Sequence, residues 1–135
     1  MYSSKLSVSI HILSLIALMG AHPLTSEYIA SSVNTNPVLV RRLMSRLKRA
    51  KLIKTSTKLG VTGLAKKAED ITLLDIFIAA EDHRDLFSIH SNTNQNCPVG
   101  AKIESTLKYL YGNIQTATEE KLSAVTLADI TKDFK

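Results

Sequence analysis

The stretch Asn34-Thr35-Asn36-Pro37-Val38-Leu39-Val40-Arg41-Arg42-Leu43-Met44-Ser45-Arg46-Leu47-Lys48-Arg49 decides the fold. Asn36-Pro37 reads as a helix start: the asparagine side chain can accept from first-turn amides, and proline at the first helical position gives up an N–H that has no partner there. Val40, Leu43, Met44 and Leu47 then recur at i, i+3, i+4 and i+7, a stripe that must face a core, while Arg42, Arg46 and Arg49 line another face. Upstream, Thr25 is a good N-cap, Glu27 falls in the first turn, and Ile29 and Val33 lie one turn apart, so 25–33 reads as a short helix. Two short helices joined by a polar three-residue turn, the second amphipathic and basic, form a helix-turn-helix pattern.

Downstream, residues 52–64 are rich in Val, Ile and Thr and are broken at Lys58-Leu59-Gly60, which predicts two short strands around a turn. A hairpin placed there is a wing, with Lys58 at its tip and Ser56, Thr57 and Thr62 on its flanks, groups suited to phosphates or a minor groove. Thr72-Leu73-Leu74-Asp75 opens a helix to about Ala80, with Leu74, Phe77 and Ile78 as its expected buried side. Residues 81–98 lose apolar periodicity and read as a linker loop carrying Cys97. Beyond it Ile103, Leu107, Leu110, Ile114 and Ala117 form a seam over two heptads, suited either to a second copy or to folding back on the chain's own domain. Thr126–Asp129 opens a last helix with Leu127, Ile130 and Phe134 as its apolar edge, expected to brace the same interface.

The expected fold is therefore mainly α with a small β-hairpin wing. It comprises a winged helix-turn-helix domain over 1–80, a linker over 81–98 and a helical dimerisation region over 99–135.

Net charge is only +5, from 17 Lys and Arg against 12 Asp and Glu in 135 residues, but its distribution is one-sided. Between Glu27 and Glu69 there are ten basic residues and no acidic one, which leaves the rest of the chain at net −5. Such a block is built for a polyanion, the alternative being a solvated basic face without a partner. One cysteine, Cys97, excludes an intrachain disulfide framework and fits a reducing compartment. The apolar run 6–19 is too short to span a bilayer, is interrupted by Ser7, Ser9, His11 and Ser14, and lacks a small-residue cleavage site after it. It reads as a buried helix ended by Gly20, with Val8, Ile12, Leu15, Ile16 and Met19 at helical spacing and His11 as a core histidine. No membrane association is expected, and the location expected is cytoplasmic and nucleoid-associated.

The segment Leu43-Met44-Ser45-Arg46-Leu47-Lys48-Arg49-Ala50-Lys51-Leu52-Ile53, followed by Ala68-Glu69-Asp70-Ile71-Thr72-Leu73-Leu74-Asp75-Ile76, resembles the bacterial Rrf-two family of winged-helix regulators. His11-Ile12-Leu13-Ser14-Leu15-Ile16, Val33-Asn34-Thr35-Asn36-Pro37-Val38 and Cys97-Pro98-Val99-Gly100 look most like its YwnA-like branch, and the match spans nearly the whole chain. The resemblance implies a homodimer whose long C-terminal helices pack together, with recognition helices in major grooves and wings at flanking minor grooves of double-stranded DNA. It assigns base reading to Val38, Arg41 and Arg42, with Arg42 foremost. Arginine can pair bidentately with guanine for about 1–3 kcal/mol of discrimination. Arg46 and Arg49 are expected to hold phosphate, and Thr35, Asn36, Ser45, Lys58 and Thr62 complete the DNA-binding set.

Several family members sense iron–sulfur status, nitric oxide or thiol chemistry through a cluster held by three cysteines before the long helix. This chain keeps only Cys97, and neither Asn92 nor Asn96 can replace a thiolate, so no cluster and no other cofactor is expected. His83 and His90 share the linker with Cys97, but their spacing matches no zinc signature. Cys97 reads either as a one-thiol redox sensor, activated by the dipole of the helix it precedes, or as an inert residue.

An enzyme is not indicated, for the sequence holds no nucleophile–base pairing, phosphate-cradling glycine loop or carboxylate cluster. The function expected is a sequence-specific transcription regulator, a repressor acting as a homodimer on a palindromic operator and responsive to redox or a small effector. The rival is an RNA-binding or protein-binding winged-helix module. RNA modules offer stacking aromatics, which make up 5% of this chain and are not interleaved with the basic positions.

Overall fold

The structure is a computed structural model and describes residues 3–20 and 22–134. In chain order it contains α1 (Lys5–Met19), α2 (Ser26–Val33), α3 (Pro37–Arg49), β1 (Ile53–Ser56), β2 (Gly60–Leu64), α4 (Leu73–Ala80), α5 (Ile103–Ser123) and α6 (Leu127–Thr131). One-turn 3-10 segments precede α4 and follow α6.

The helix-turn-helix forms for the reasons its sequence gives. Thr25 Oγ1 accepts from the Tyr28 amide at the start of α2. Asn34 ends that helix in the left-handed region at φ 60°, a conformation asparagine tolerates. Asn36 Oδ1 then accepts from the Val38 amide at 2.8 Å and starts α3. The far end of α3 closes by the Lys51 and Leu52 amides donating back to the Lys48 and Leu47 carbonyls.

The wing is an antiparallel hairpin in which Thr62 is an extra residue, since Lys54 pairs with Gly63 and Thr55 with Val61. Ser56 Oγ accepts from the Lys58 and Leu59 amides and sets the tip. Val61 also exchanges both backbone hydrogen bonds with Leu24, at 2.9 Å each, so a third short strand holds the hairpin to the helices. Gly60 sits at φ 91° against the Leu24 carbonyl, where a Cβ would collide.

The core joins Ile12, Leu13 and Ile16 of α1, Val40, Leu43 and Leu47 of α3, Ile76 and Ala80 of α4, and Leu127 of α6. Three expectations change here. Helix α4 buries Ile76, Phe77 and Ala80, leaving Leu74 half-buried and Ile78 45% exposed. Its eight residues are apolar nearly all round, so periodicity alone set no phase. On α1, Met19 is exposed and Val8 and Leu15 are half-buried. His11 is an exposed residue rather than a core one, with Nε2 3.2 Å from Ser32 Oγ on α2.

The third change concerns α6, which returns to the winged-helix unit. The Leu73 amide donates to Val125 and the Leu127 amide to Ile71, at 2.9 and 2.8 Å, and Leu127 is fully buried. The unit expected to end at residue 80 is thus completed from the far end of the chain. Of the region 99–135, α5 stands apart: none of its 21 residues is buried.

Candidate nucleic-acid interface

Burial of Val40, Leu43 and Leu47 against the core fixes the rotation of α3, so Val38, Arg41, Arg42, Ser45, Lys48 and Arg49 face outward. Val38 is 54% exposed in the first turn, an apolar group presented to solvent beside two arginines. Pro37 and the Asn36 cap hold that turn rigid. Asn36 spends its carbonyl oxygen on the cap, leaving its NH₂ group for a phosphate, and Thr35 is half-buried in the turn.

Between α2, α3 and the wing lies a notch of about 310 Å³ lined by Ser26, Arg41, Ser45, Lys48 and Thr55, among others. Two cations and three hydroxyls meet Met44 and Gly60 around this depression, and the Ser26 hydroxyl donates to Glu27 Oε2 at 3.3 Å. Ser26 and Thr55 escaped the sequence reading, because a serine in a helix's first turn and a threonine in a strand have ordinary structural uses. Lys58 and Thr62 are exposed on the wing, and Thr62 Oγ1 donates to the Lys54 carbonyl at 3.3 Å.

Arg46 departs from its expected role. Nη1 donates to the Ala80 carbonyl at 3.1 Å and Nη2 engages Asp82, so the guanidinium is held against the end of α4 and is not offered to phosphate. Lys5 Nζ lies 2.6 Å from the same carboxylate. The hydrogen bonds from Lys5 and then Arg46 pull the Asp82 carboxyl down to about 2. Among the described residues these are the only ion pairs, so Arg41, Arg42, Lys48, Arg49 and Lys58 have no carboxylate partner.

On α5, Ile103 and Leu107 are half-buried, whereas Leu110, Ile114 and Ala117 are exposed. Leu110 and Ile114 keep 47% and 45% of their surfaces accessible within the chain. Cys97 lies in a turn before α5, whose cap is Lys102, so it is not at the helix terminus expected from sequence. Its thiol is nevertheless held below the usual range, by the backbone amides of Gly100 and Val99. No group of three His, Cys, Asp or Glu side chains gathers to hold a metal among the described residues. No helix among them is long and apolar enough to cross a membrane.

The family model for Rrf2, described as an iron-dependent transcriptional regulator, matches residues 2–133. The chain belongs to the Rrf2 family. A curated relative, YwnA of Bacillus subtilis (strain 168), provisionally described as an HTH-type transcriptional regulator, is 43% identical over 132 residues, 96% of each chain. A crystal structure of a protein provisionally described as DNA-binding is 38% identical with a TM-score of 0.78, over 94% of this chain and 98% of that one. CymR, the global cysteine regulator of B. subtilis, shares the fold at 22% identity and a TM-score of 0.72, over 98% and 96% of the two chains.

Rrf2 proteins are transcription regulators and not enzymes. The iron in the family's description finds no matching donor set here, since an iron–sulfur cluster needs several thiolates and this chain has one cysteine.

Proposed function

We propose that this Rrf2 protein is a cytoplasmic, nucleoid-associated repressor that binds a palindromic operator as a homodimer and works without an iron–sulfur cluster. The observation that carries the reading is the outward face of α3, where arginines and lysines without carboxylate partners flank a rigid first turn beside the wing. Val38, Arg41 and Arg42 would read bases in the major groove. Ser26, Thr35, Asn36, Ser45, Lys48, Arg49, Lys58 and Thr62 would hold phosphate and sugar.

Homodimer formation is supported by α5, whose Leu110 and Ile114 are left about half uncovered by their own chain. Two-fold pairing of such helices would present two recognition helices to half-sites about one DNA turn, roughly 34–36 Å, apart. A dimer on a promoter excludes polymerase sterically. An effector, or oxidation of Cys97 with its activated thiol, would act by changing that separation.

The test is to incubate the reduced protein with sheared genomic DNA, recover bound fragments and sequence them at two salt concentrations. Enrichment of a two-fold symmetric site with affinity falling steeply in salt supports the reading. Uniform recovery makes the protein a nonspecific DNA binder. No recovery even at low salt favours a protein-binding winged helix.

A further inference from the structure

We propose that Asp82 is a positioning residue that fixes recognition helix α3 relative to α5 by gripping Arg46 at one end of a short strap, residues 80–87, whose other end is bound to α5. The proposal rests on the reading of α3 as the DNA-reading helix and α5 as the dimer helix.

At the first end, Arg46 spans the Ala80 carbonyl and the Asp82 carboxylate with two arms of one guanidinium. A planar fork fixes orientation as well as distance, which a lysine would not do. Lys5 and the Leu6 amide of α1 hold Asp82 and Glu81 in the same place, at 2.6 and 3.3 Å. The chain leaving α4 is therefore pinned simultaneously to α1 and α3.

At the other end, the Gln115 side chain of α5 takes the strap by its backbone. Its Oε1 accepts from the Leu86 amide at 3.0 Å and its Nε2 donates to the Arg84 carbonyl at 2.7 Å. Nε2 also donates to Glu119 Oε2 at 2.9 Å, which orients the amide. One residue on, the Phe87 ring packs on Tyr111 of α5 with centroids 5.1 Å apart.

Only His83 separates Asp82 of the first grip from Arg84 of the second, and a residue spans at most about 3.3–3.6 Å, so the strap has little slack. Gln115 and Tyr111 face the strap, while Ile114 and Leu110 of the same rigid helix lie on the face proposed to meet the second copy. A movement of the partnered helix would thus reach α3 along the strap's hydrogen bonds as well as through α4, which packs against both helices. Arg46, which charge patterning assigns to phosphate, acts instead on where the other arginines point.

Generic electrostatics and this proposal give opposite signs. Removing the negative charge of Asp82 from a DNA-binding protein should strengthen binding to a polyanion. If Asp82 aims α3, the same change weakens binding to the symmetric site.

The experiment places spin labels at Ala50→Cys, at the end of α3, and Thr116→Cys, on α5, in a Cys97→Ser background. An excess of unlabelled protein ensures that only the intrachain pair reports. The parent is expected to give one narrow distance, and Asp82→Asn and Arg46→Lys each to lose it to a broad distribution. Both variants should remain folded by circular dichroism, because exposed ion pairs contribute little to global stability. Retention of the parent distribution in both variants overturns the proposal.

On DNA selected by the parent, Asp82→Asn should bind more weakly with the same half-site sequence and salt slope. A salt slope reduced by about one in Arg46→Met would make Arg46 a phosphate contact and also overturn the proposal. A parent that selects no DNA counts against the proposed function alone, since the label distances decide the clamp without DNA.

Discussion

Helices α3 and α5 are both amphipathic, yet they stand in opposite relations to the chain that carries them. Helix α3 drives Val40, Leu43 and Leu47 into a core shared with α1 and α4, and its polar face is left to solvent. Helix α5 is longer by eight residues, 21 against 13, and buries none. Covering a large apolar side chain completely is worth about 1.5–3 kcal/mol, and Leu110 and Ile114 have about half of that still to gain. The first helix is completed by its own chain; on the dimer reading proposed above, the second is completed by another copy. Stability and assembly are therefore carried by different residues, and substitutions can pull them apart.

The largest effect is expected from Leu43→Ala, which empties a fully buried site and should lower unfolding free energy by about 2–5 kcal/mol in urea titration. An effect below about 1 kcal/mol would mean that α3 is not anchored as described. Leu110→Ala is the counterpart on α5: it should weaken self-association by about 2 kcal/mol in sedimentation equilibrium, with CD-detected helix content unchanged. An unaltered dimer constant would break the contrast, because the seam would then pack elsewhere.

Smaller effects separate reading from holding on the α3 side. Arg42→Ala should relax preference at one base position by about 1–3 kcal/mol, measured against an operator library. Lys58→Ala should weaken all sequences alike and reduce the salt slope by about one. Equal behaviour of the two variants would erase the distinction between helix and wing.

The smallest expected effect is on pH dependence. The Asp82 carboxyl is depressed to about 2, below its ordinary 3.8, so its contribution to stability is fully present above that ordinary value. It is lost only as pH falls through about 2. Asp82→Asn and the parent should thus differ equally at pH 7 and pH 5 and converge near pH 2, followed by urea titration at each pH.

The helix-turn-helix was legible because local chemistry agreed with periodicity: the Asn36 cap, Pro37 and the Val40–Leu47 stripe all start and rotate α3 in one way. The wing was legible from its β-branched residues and the Lys58-Leu59-Gly60 break, although the Leu24 strand that secures it was not, since one residue leaves no pattern. Periodicity failed on α1 and α4 for a different reason. Helices apolar on most sides bury whichever face their neighbours select, which left His11 and Ile78 in solvent.

Arg46 was misread because residues 42, 46 and 49 share a helix face, and nothing local reveals that an aspartate 36 positions later closes on one of them. The positions proposed to read bases came from the family resemblance, and the structure places Ser26 and Thr55 beside Arg41.

The paired backbone around Thr72 and Thr126 gives the molecule a topology that its linear order conceals. The chain leaves the winged-helix head only after α4, at Ala80, and comes back to it at Val125–Leu127, so the arm bearing α5 is an insertion into the head rather than a tail behind it. Loop-closure entropy rises only slowly with length, by about 0.6 kcal/mol per doubling. Such an arm can be lengthened, shortened or exchanged at little thermodynamic cost while the two ends stay zipped. The arm can therefore change without rebuilding the helix-turn-helix and wing it is inserted into.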